Sequence, residues 1–478
     1  MNTRQPVDAP SSRGGCALHM HPGVLTVDGG RNRHAVEYGR LTVPENRERD
    51  DSRWIELAFA RFRARTERPG PPIVFLAGGP GASGIRVAQR IPGLFLELSK
   101  VADVIALDQR GVGLSRPCLD SSERWDLPLD DPVDRDRFID VAVQRARALR
   151  TFWEERGTDL AGYTSTQSAD DVDDLRRALG VERVSLYGLS YGSHLGLAIL
   201  RRHESRVHRA VLGLVEGPDD THKLPANTER HFAHINELAR QAAGTSDRAD
   251  DLLTLMQETR EALHREPRVV PAPIDGSGNE ARDVVLGAFD YQLYLSEALG
   301  SIRMIRALPR IFDEFRSGNF GAIAVDARER RQAFLPSAMS LVMDAASGVS
   351  PERQELIREQ APDALLGDVF NLPFPYVAEA LGAPDLGPDY RSPVRAATPT
   401  LLLSGSLDGR TPASNAEAVL AHFRQGQHVI VEGASHSYFP ELDETARRFL
   451  GGEDETYPAR RVPFEFDRAV PSPRTGKV

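Results

Sequence analysis

Short apolar runs and amphipathic stretches alternate along the first 215 residues of the chain. Residues 54–63 alternate apolar and polar side chains with a period of two, which predicts a strand paired as a hairpin with 38–43. Fully apolar runs predict buried strands at 73–77, 104–107, 183–187, 210–215, 400–404 and 428–431. Helical periodicity predicts helices at 134–156, from 168 to 180, at 193–202 and at 441–450. Strands that alternate with helices predict an α/β fold with a mostly parallel sheet covered on both faces.

The pattern changes after Pro218. Residues 219–395 have a mainly helical period and few β-branched runs. The helices predicted there are 227–243, 247–265, 291–299, 303–316, 329–345 and 351–359, separated by Pro- and Gly-rich stretches at 266–279 and 382–393. A helical block therefore interrupts an α/β pattern that resumes afterwards.

Composition limits the classes of partner. The 478 residues include 59 basic and 69 acidic ones, and a net charge of −10 argues against nucleic-acid binding. The chain contains no run of about 18 apolar residues, so no membrane span is expected. No secretory signal is recognised in the first 35 residues, and the two cysteines, Cys16 and Cys118, favour a reducing compartment, so we expect a cytoplasmic protein. No closely spaced Cys or His pair indicates a metal site, and no cofactor is expected.

A glycine-rich loop follows the strand predicted at 73–77. Residues 79–84 read G-x-G-x-x-G, and Asp108 ends the next apolar strand, as in a dinucleotide site. Pro80 argues against that interpretation because it lacks an N–H group in a loop that would have to hold pyrophosphate. A tight glycine turn without further function is the other alternative.

The stretch Gly188-Leu189-Ser190-Tyr191-Gly192 is a G-x-S-x-G motif between an apolar strand and a helix. That context is typical of a nucleophile elbow, in which a strained turn lifts the serine hydroxyl above the sheet. A serine hydroxyl is a poor nucleophile at neutral pH and needs a base that is oriented by an acid. Ser190 is the predicted nucleophile.

The base and the acid are expected after Ser190 in the order acid, then histidine. Asp408 follows the strand predicted at 400–404, and His436 follows the one at 428–431. Both therefore lie at carboxyl ends of strands, where ligands bind in open α/β sheets. Glu432 and Asp443 are alternative acids.

Acyl transfer also needs N–H groups aimed at the developing oxyanion. The predicted donors are Tyr191, directly after the nucleophile, and Gly79 or Gly78 in the glycine loop. Glycine at that position lets a substrate carbonyl approach the backbone closely.

These motifs resemble those of the proline iminopeptidase and tripeptidyl aminopeptidase branch of the α/β-hydrolase superfamily. The matching stretches are LTVPEN (41–46), GGPG (78–81), DQRGVGLS (108–115), YGLSYG (187–192), SGSLDGRTP (404–412) and GASH (433–436). The resemblance implies an α/β-hydrolase fold with a helical cap, a Ser190–Asp408–His436 triad, an oxyanion hole of Gly79 and Tyr191, and a structural role for 108–111. Such enzymes release residues from the free N-terminus of peptides without a metal.

The chain also departs from the family pattern. Iminopeptidases usually carry His where Ala77 stands, and an Arg in the strand after the elbow helix, where this chain has Leu212-Gly213-Leu214-Val215-Glu216. Secreted tripeptidyl aminopeptidases carry an export signal and more cysteines. These departures leave two enzyme alternatives, a peptidase and a hydrolase of a small ester, lactone or amide. A hydrolase-like fold kept for binding is a third alternative, against which the intact triad argues.

Substrate recognition is the least determined part of the sequence. An exopeptidase must bind a terminal ammonium, and Glu216, Asp219 and Asp220 are the candidate carboxylates, with solvated loop acids as the alternative. Phe374 and Tyr376 could line an apolar pocket or belong to the core.

The motif order determines the predicted domains. Ser190 and the Asp408–His436 pair must share one sheet, so 36–217 and 396–478 form one discontinuous core and 218–395 is an inserted cap. Residues 1–35, which are polar and rich in Gly and Pro, are expected to be a partly disordered extension. The sequence leaves the oligomeric state open.

Overall fold

The computed structural model describes residues 16–27, 30–243, 251–274, 280–453 and 455–467. Its strands are β1 (Leu18–Val27), β2 (Asn32–Pro44), β3 (Trp54–Phe62), β4 (Gly70–Leu76), β5 (Ala102–Asp108), β6 (Val184–Leu189), β7 (Val207–Gly213), β8 (Arg268–Pro273), β9 (Ala281–Leu286), β10 (Thr400–Gly405), β11 (Gly426–Glu432) and β12 (Arg460–Arg461). Ten of them form one sheet in the order β1-β2-β3-β5-β4-β6-β7-β10-β11-β12, and β8 and β9 form a separate hairpin.

The sheet is antiparallel at one end and parallel over the rest. The pairs β1–β2, β2–β3 and β3–β5 are antiparallel, and every pair from β5 to β12 is parallel. This confirms the predicted α/β-hydrolase fold with a mostly parallel sheet. Parallel strands place their carboxyl ends along one edge, so the loops after β4, β6, β10 and β11 gather there.

The helices before the inserted segment are α1 (Gly84–Arg90), α2 (Pro92–Leu98), α3 (Arg135–Glu154), α4 (Ser165–Ala178) and α5 (Tyr191–His203). The inserted segment contains α6 (Pro225–Ala243), α7 (Leu252–Arg265), α8 (Ala288–Ser296), α9 (Ile302–Arg316), α10 (Gly321–Gln332), α11 (Ala338–Ser347), α12 (Pro351–Gln360), α13 (Phe374–Leu381) and α14 (Gly387–Arg391). After it come α15 (Ala413–Leu420) and α16 (Asp443–Leu450). Short 3-10 turns lie at Leu160–Gly162, Glu204–Arg206, Glu297–Leu299, Val369–Asn371 and Pro440–Leu442.

Both faces of the sheet are buried. In β10 the side chain of Leu402 belongs to one apolar cluster, whereas Leu401 and Leu403 belong to a second cluster on the opposite face. All three are fully buried, because helices cover each face of a parallel sheet. This explains why the parallel strands read as continuous apolar runs rather than as alternating ones.

Part of the N-terminal segment is a strand that the sequence pattern did not predict. Residues 18–27 form the edge strand β1, which pairs antiparallel with β2. Leu25 and Val27 are buried against the sheet, while the alternate side chains Val24 and Thr26 are exposed. The strand was missed because Pro22 and Gly23 weaken its propensity, and pairing with β2 outweighs that local signal. Residues 1–15 lie outside the described part of the chain.

The inserted segment, residues 218–395 and hereafter the cap, also differs in detail. The helix expected at 329–345 is two helices, α10 and α11, because Pro336 disfavours helical backbone in the residue before it. The hairpin of β8 and β9 lies where only a Pro- and Gly-rich break was expected, and α14 lies within the second such break. In the hairpin, Val270 pairs with Val284. Residues 244–250 and 275–279 are outside the described ranges.

A buried ion pair ties the loop after β5 to α4. The Arg110 side chain is fully buried, and its Nη2 lies 2.6 Å from Oδ1 of Asp171. Arg110 Nε also donates to the other carboxylate oxygen at 2.7 Å, so the pair is bidentate.

Among the described residues, no helix is long and apolar enough to cross a membrane.

We expect Asp171→Ala to lower the free energy of unfolding by about 3–5 kcal/mol, because it leaves a buried guanidinium without its counter-ion. Urea denaturation followed by circular dichroism measures this change. The control is Asp51→Ala, which removes an exposed ion pair with Arg49 and should change the midpoint little. Equal shifts in the two variants would contradict the assignment of a structural role to the buried pair.

Candidate active site

Ser190 occupies a strained turn between β6 and α5. Its backbone has φ 55° and ψ −126°, a combination that residues other than glycine rarely adopt. The turn fits only because two glycines flank it. A Cβ atom on Gly188 would lie 2.3 Å from the carbonyl oxygen of Gly192, and one on Gly192 would lie 2.0 Å from that of Leu76. The G-x-S-x-G spacing is therefore a steric requirement of this turn.

The structure brings Ser190, His436 and Asp408 together. Nε2 of His436 lies 3.0 Å from Ser190 Oγ, and Nδ1 lies 2.9 Å from Asp408 Oδ2. With the proton on Nδ1, the imidazole donates to the carboxylate and accepts from the serine hydroxyl. This is the arrangement in which a serine can lose its proton to a histidine. The three residues follow β6, β10 and β11, as the sequence predicts.

Asp408 is buried and receives three further hydrogen bonds. The backbone N–H groups of Arg410 and Thr411 donate to Oδ1 at 2.9 and 2.8 Å. The Thr411 hydroxyl donates to Oδ2 at 2.7 Å and lies 3.1 Å from Nδ1 of His436. These donors stabilise the negative charge and orient the carboxylate toward the imidazole. Thr411 was not singled out from the sequence, although a hydroxyl three residues after an acid in a loop is a recognisable signal.

The two alternative acids are not bonded to His436. The Tyr438 hydroxyl donates to Asp443, and burial raises the pKa of Asp443 to about 6. Glu432 is exposed at the end of β11. Asp408 is thus the acid that contacts the histidine.

The glycine loop passes beside the nucleophile. A Cβ atom on Gly78 would lie 3.1 Å from Ser190 Cβ, which shows how closely the loop approaches. Gly79 follows with φ 115°, a conformation that glycine adopts without strain. Tyr191 is the first residue of α5, so its N–H has no acceptor within the helix. The predicted oxyanion donors therefore flank Ser190, and their role stays a prediction.

The segment 108–111 forms internal contacts. The buried Asp108 carboxylate accepts from Ser83 Oγ at 2.6 Å and from the N–H groups of Ile85 and Leu114 at 3.0 and 2.8 Å. Burial raises the pKa of Asp108 despite these donors. Gln109 donates to the carbonyl of Ala77 at 3.1 Å. The acid that would bind a ribose in a dinucleotide site is thus already engaged in holding the loop.

The three acids proposed to bind an ammonium have different surroundings. Asp219 accepts from the N–H and the hydroxyl of Ser350, both at 2.6 Å, and Asp220 pairs with Arg353 at 2.9 Å. Both partners lie at the start of α12, so these two acids fasten the cap. Glu216, which is 8% exposed, binds Lys223 Nζ through Oε2 at 2.7 Å. The other oxygen of Glu216, Oε1, lies 3.9 Å from Nδ1 of His194, which is longer than a hydrogen bond.

Asp344 is a fourth acid, which the sequence interpretation missed. It lies on α11 and is 7% exposed. Burial, with a contribution from the charge of Glu216, raises the pKa of Asp344 well above its usual range, and no hydrogen bond from a described residue offsets this. The signal in the sequence is a single acid within the apolar run Ala338–Ser347.

The position of Asp344 follows from its helix. Ser340, Asp344 and Ser347 are spaced by four and three residues and therefore share one face of α11. Ser340 Oγ donates to the carbonyl of Pro80 at 2.9 Å, and Ser347 Oγ lies 3.3 Å from Ser165 Oγ, which in turn lies 3.0 Å from the Tyr191 hydroxyl. Asp344 thus lies on this face of α11 between the contact of Ser340 with the glycine loop and the contact of Ser347 with Ser165.

The aromatic candidates have contacts elsewhere. Tyr376 is 37% exposed and receives a hydrogen bond from Arg135 of α3. It borders a surface groove of about 320 Å³ with Arg147 and Arg150. Phe374 is partly buried against the main apolar cluster. The described contacts of the two rings do not include the triad residues.

Comparison with known proteins agrees with this geometry. The model of the α/β hydrolase fold matches residues 71–264, which include the glycine loop and Ser190. The model described as TAP-like protein matches residues 383–450, which include Asp408 and His436. The two matches lie on the two halves of the core and support the α/β-hydrolase fold of this chain.

Several curated relatives that are similar to parts of this chain are peptidases by name. The chain is 32% identical over 194 residues to a tripeptidyl aminopeptidase of Streptomyces lividans, which covers 38% of this chain and 36% of the relative. It is 30% identical over 219 residues to the serine protease Hip1 of Mycobacterium bovis, covering 44% and 39%. A proline iminopeptidase of Neisseria meningitidis is 29% identical over 145 residues, covering 30% and 32%. The matches thus span between about a third and two fifths of these relatives' lengths.

Metal ligands were also sought in the structure. Within the described ranges, no group of three or more His, Cys, Asp or Glu side chains is placed to hold a metal ion.

We expect Thr411→Val to lower kcat/KM about tenfold, because Asp408 loses a hydrogen bond of the charge-assisted kind. Thr411→Ser keeps the hydroxyl and should stay within about twofold of the wild type. Both values come from initial rates on whichever ester or amide the protein hydrolyses. A serine variant as impaired as the valine variant would contradict a role for the hydroxyl.

Proposed function

We propose that this protein is a serine aminopeptidase that releases one or a few residues from the free N-terminus of peptides through an acyl-enzyme. The Ser190–His436–Asp408 geometry supports the serine chemistry. The names of the curated relatives, tripeptidyl aminopeptidase and proline iminopeptidase, support the peptidase class. The observation that carries the proposal is a pair of buried carboxylates, Glu216 and Asp344, which lie near enough to act on each other and on Tyr191, the residue after the nucleophile.

The chemistry follows from the contacts of Ser190. Its hydroxyl oxygen attacks the scissile carbonyl carbon while Nε2 of His436 takes the hydroxyl proton. The carbonyl oxygen becomes an oxyanion that accepts hydrogen bonds from Gly79 and Tyr191 N–H. The tetrahedral intermediate then collapses, the C–N bond breaks, and His436 gives its proton to the leaving amine. Water then attacks the acyl-enzyme with the same histidine as base, which releases the acid and restores Ser190.

Burial makes the two acids an unusual pair. An isolated carboxylate in a water-poor site is costly to ionise, and a buried acid is therefore normally paired or kept neutral. Glu216 shares one cation, Lys223, whereas Asp344 has no hydrogen-bond donor among the described residues. When both acids are ionised, Glu216, Asp344 and Lys223 together have a single net negative charge. One substrate ammonium matches that charge and supplies the missing donors.

The surroundings of Asp344 imply that substrate binding is linked to pH. Its raised pKa extends the neutral form of Asp344 to higher pH in the free protein. A bound ammonium stabilises the ionised form, so binding releases a proton and becomes tighter as the pH rises. The gain ends where the substrate's own amine loses its proton, at about pH 8. An N-blocked substrate lacks the ammonium and should show neither effect.

The first experiment tests the reaction class. Purified protein is assayed on aminoacyl and peptidyl anilides, on their N-acetylated versions and on simple aryl esters. We expect turnover of the free-amine anilides with at least about a tenfold preference over the blocked ones, since a lost ion pair in a buried site costs at least that factor. Activity on esters alone would instead identify an esterase, lactonase or amidase.

Ser190→Ala is the matched control for that panel. Without the hydroxyl no acyl-enzyme forms, and we expect kcat to fall by a factor of about 10⁴ or more. A Ser190→Ala protein with wild-type rates would overturn the mechanism as a whole, whatever the substrate.

The second experiment tests the ammonium site. Asp344→Asn has the size of the neutral acid but cannot become negative. We expect KM for a free-amine anilide to rise by about 10- to 100-fold, the range for a hydrogen bond to a charged group. The rate on a simple aryl ester, which lacks an amine, should stay unchanged, and the pH dependence of KM below pH 8 should flatten.

The control for this variant is Asp363→Asn, which changes an exposed acid elsewhere in the cap. It should leave KM unchanged for every substrate. A loss in Asp344→Asn that is equal for amine and ester substrates would show a structural effect and contradict ammonium binding.

A further inference from the structure

The glycine loop, residues 77–83, is held at four points. Gln109 Nε2 donates to the Ala77 carbonyl at 3.1 Å, and the N–H of Ala82 donates to the Gly78 carbonyl at 3.2 Å. Ser83 Oγ donates to Asp108 at 2.6 Å. The fourth hydrogen bond comes from Ser340 Oγ, which donates to the Pro80 carbonyl at 2.9 Å. The first three come from the core, and the fourth comes from the cap.

Helix α11 lies directly against the tip of this loop. A Cβ atom on Gly81 would be 3.4 Å from Ser340 Cβ and 3.4 Å from Ser337 Oγ, which is contact distance. Gly79 and Gly81 have φ of 115° and 100°. Glycine backbone is the most permissive in the chain, so the direction of the Gly79 N–H depends on what holds the neighbouring peptide groups.

We propose that Ser340 is a positioning residue for the oxyanion hole, through which the cap takes part in the catalytic step. Its hydroxyl holds the Pro80 carbonyl and so keeps the preceding residue, Gly79, turned toward Ser190. Stabilisation of an oxyanion requires a donor at about 2.7–3.1 Å, so a small rotation of the loop weakens it. Ser340 is 9% exposed, which leaves little room for water to replace the hydroxyl.

The same helix offers a matched control. Ser337 is the N-cap of α11, and its Oγ accepts from the N–H of Ser340 at 3.1 Å. Ser337→Ala removes that cap and weakens the helix, typically by about 1 kcal/mol, but leaves the contact between Ser340 and Pro80 in place. Loss of helix stability and loss of the loop contact can therefore be separated.

The test compares wild type, Ser340→Ala and Ser337→Ala on whichever amide or ester the wild type hydrolyses. Besides kcat and KM, it measures inhibition by the aldehyde and by the alcohol that correspond to the substrate's acyl group. Ser190 Oγ adds to the aldehyde carbonyl, and the hydroxyl proton passes to the new oxygen or to His436. The resulting hemiacetal oxygen occupies the oxyanion position, which the alcohol leaves unused.

For Ser340→Ala we expect kcat to fall about tenfold with KM unchanged, the effect of one lost hydrogen bond. The preference for aldehyde over alcohol should fall by the same factor, and Ser337→Ala should keep the wild-type preference. A preference unchanged in Ser340→Ala, or reduced equally in both variants, would overturn the proposal.

The inference rests on Ser190 as the nucleophile but not on the aminopeptidase assignment. Failure of the two proposals is therefore distinguishable. A wild-type protein that binds the aldehyde no better than the alcohol would overturn the serine mechanism itself. If the protein proves to be an esterase that prefers the aldehyde, the aminopeptidase proposal fails, and the comparison of Ser340→Ala with Ser337→Ala on the ester still decides the role of Ser340.

Discussion

The approach of Gly192 to the carbonyl of Leu76 is the contact on which the site depends. A Cβ atom on Gly192 would lie 2.0 Å from that carbonyl oxygen, so α5 begins this close to β4 only with glycine there, and Ser190 takes φ 55° in the turn before it. The glycine loop leaves β4 at the same point and passes beside the nucleophile. One backbone contact therefore fixes both the attacking oxygen and the loop expected to bind the oxyanion, and the sheet supplies the histidine and the acid.

The cap contributes to this arrangement at two places. Helix α11 holds the glycine loop through Ser340 and places Asp344 one turn further along. On the other side, the carbonyl of Leu299 in the cap accepts from the N–H of Gly409 at 2.8 Å, directly after Asp408. Residues 218–395 therefore contact both the glycine loop and the loop that carries Asp408. A shift of the cap would disturb the oxyanion side and the acid side together.

Features that are local in sequence could be predicted. The elbow glycines, the order of Ser190, Asp408 and His436, and the parallel strands are written in short segments whose spacing has a steric cause. β1 and the hairpin of β8 and β9 could not be predicted, because pairing with distant strands outweighs weak local propensity. Asp344 was missed for a similar reason, since its meaning depends on Glu216 and Tyr191, which are far away along the chain. Acidity near the elbow in sequence pointed to Glu216, Asp219 and Asp220, and only Glu216 belongs to the proposed ammonium site.

The number of partners separates the roles of these acids. Asp219 and Asp220 each have both oxygens engaged, by Ser350 and by Arg353 with the N–H of Gly217. A carboxylate whose two oxygens already accept hydrogen bonds has few free lone pairs left for a further cation. Glu216 is only partly compensated and Asp344 has no donor among the described residues, so the unmet demand for positive charge is concentrated between them. Fastening the cap with the fully paired acids keeps that demand beside the nucleophile, where a peptide's N-terminus would satisfy it.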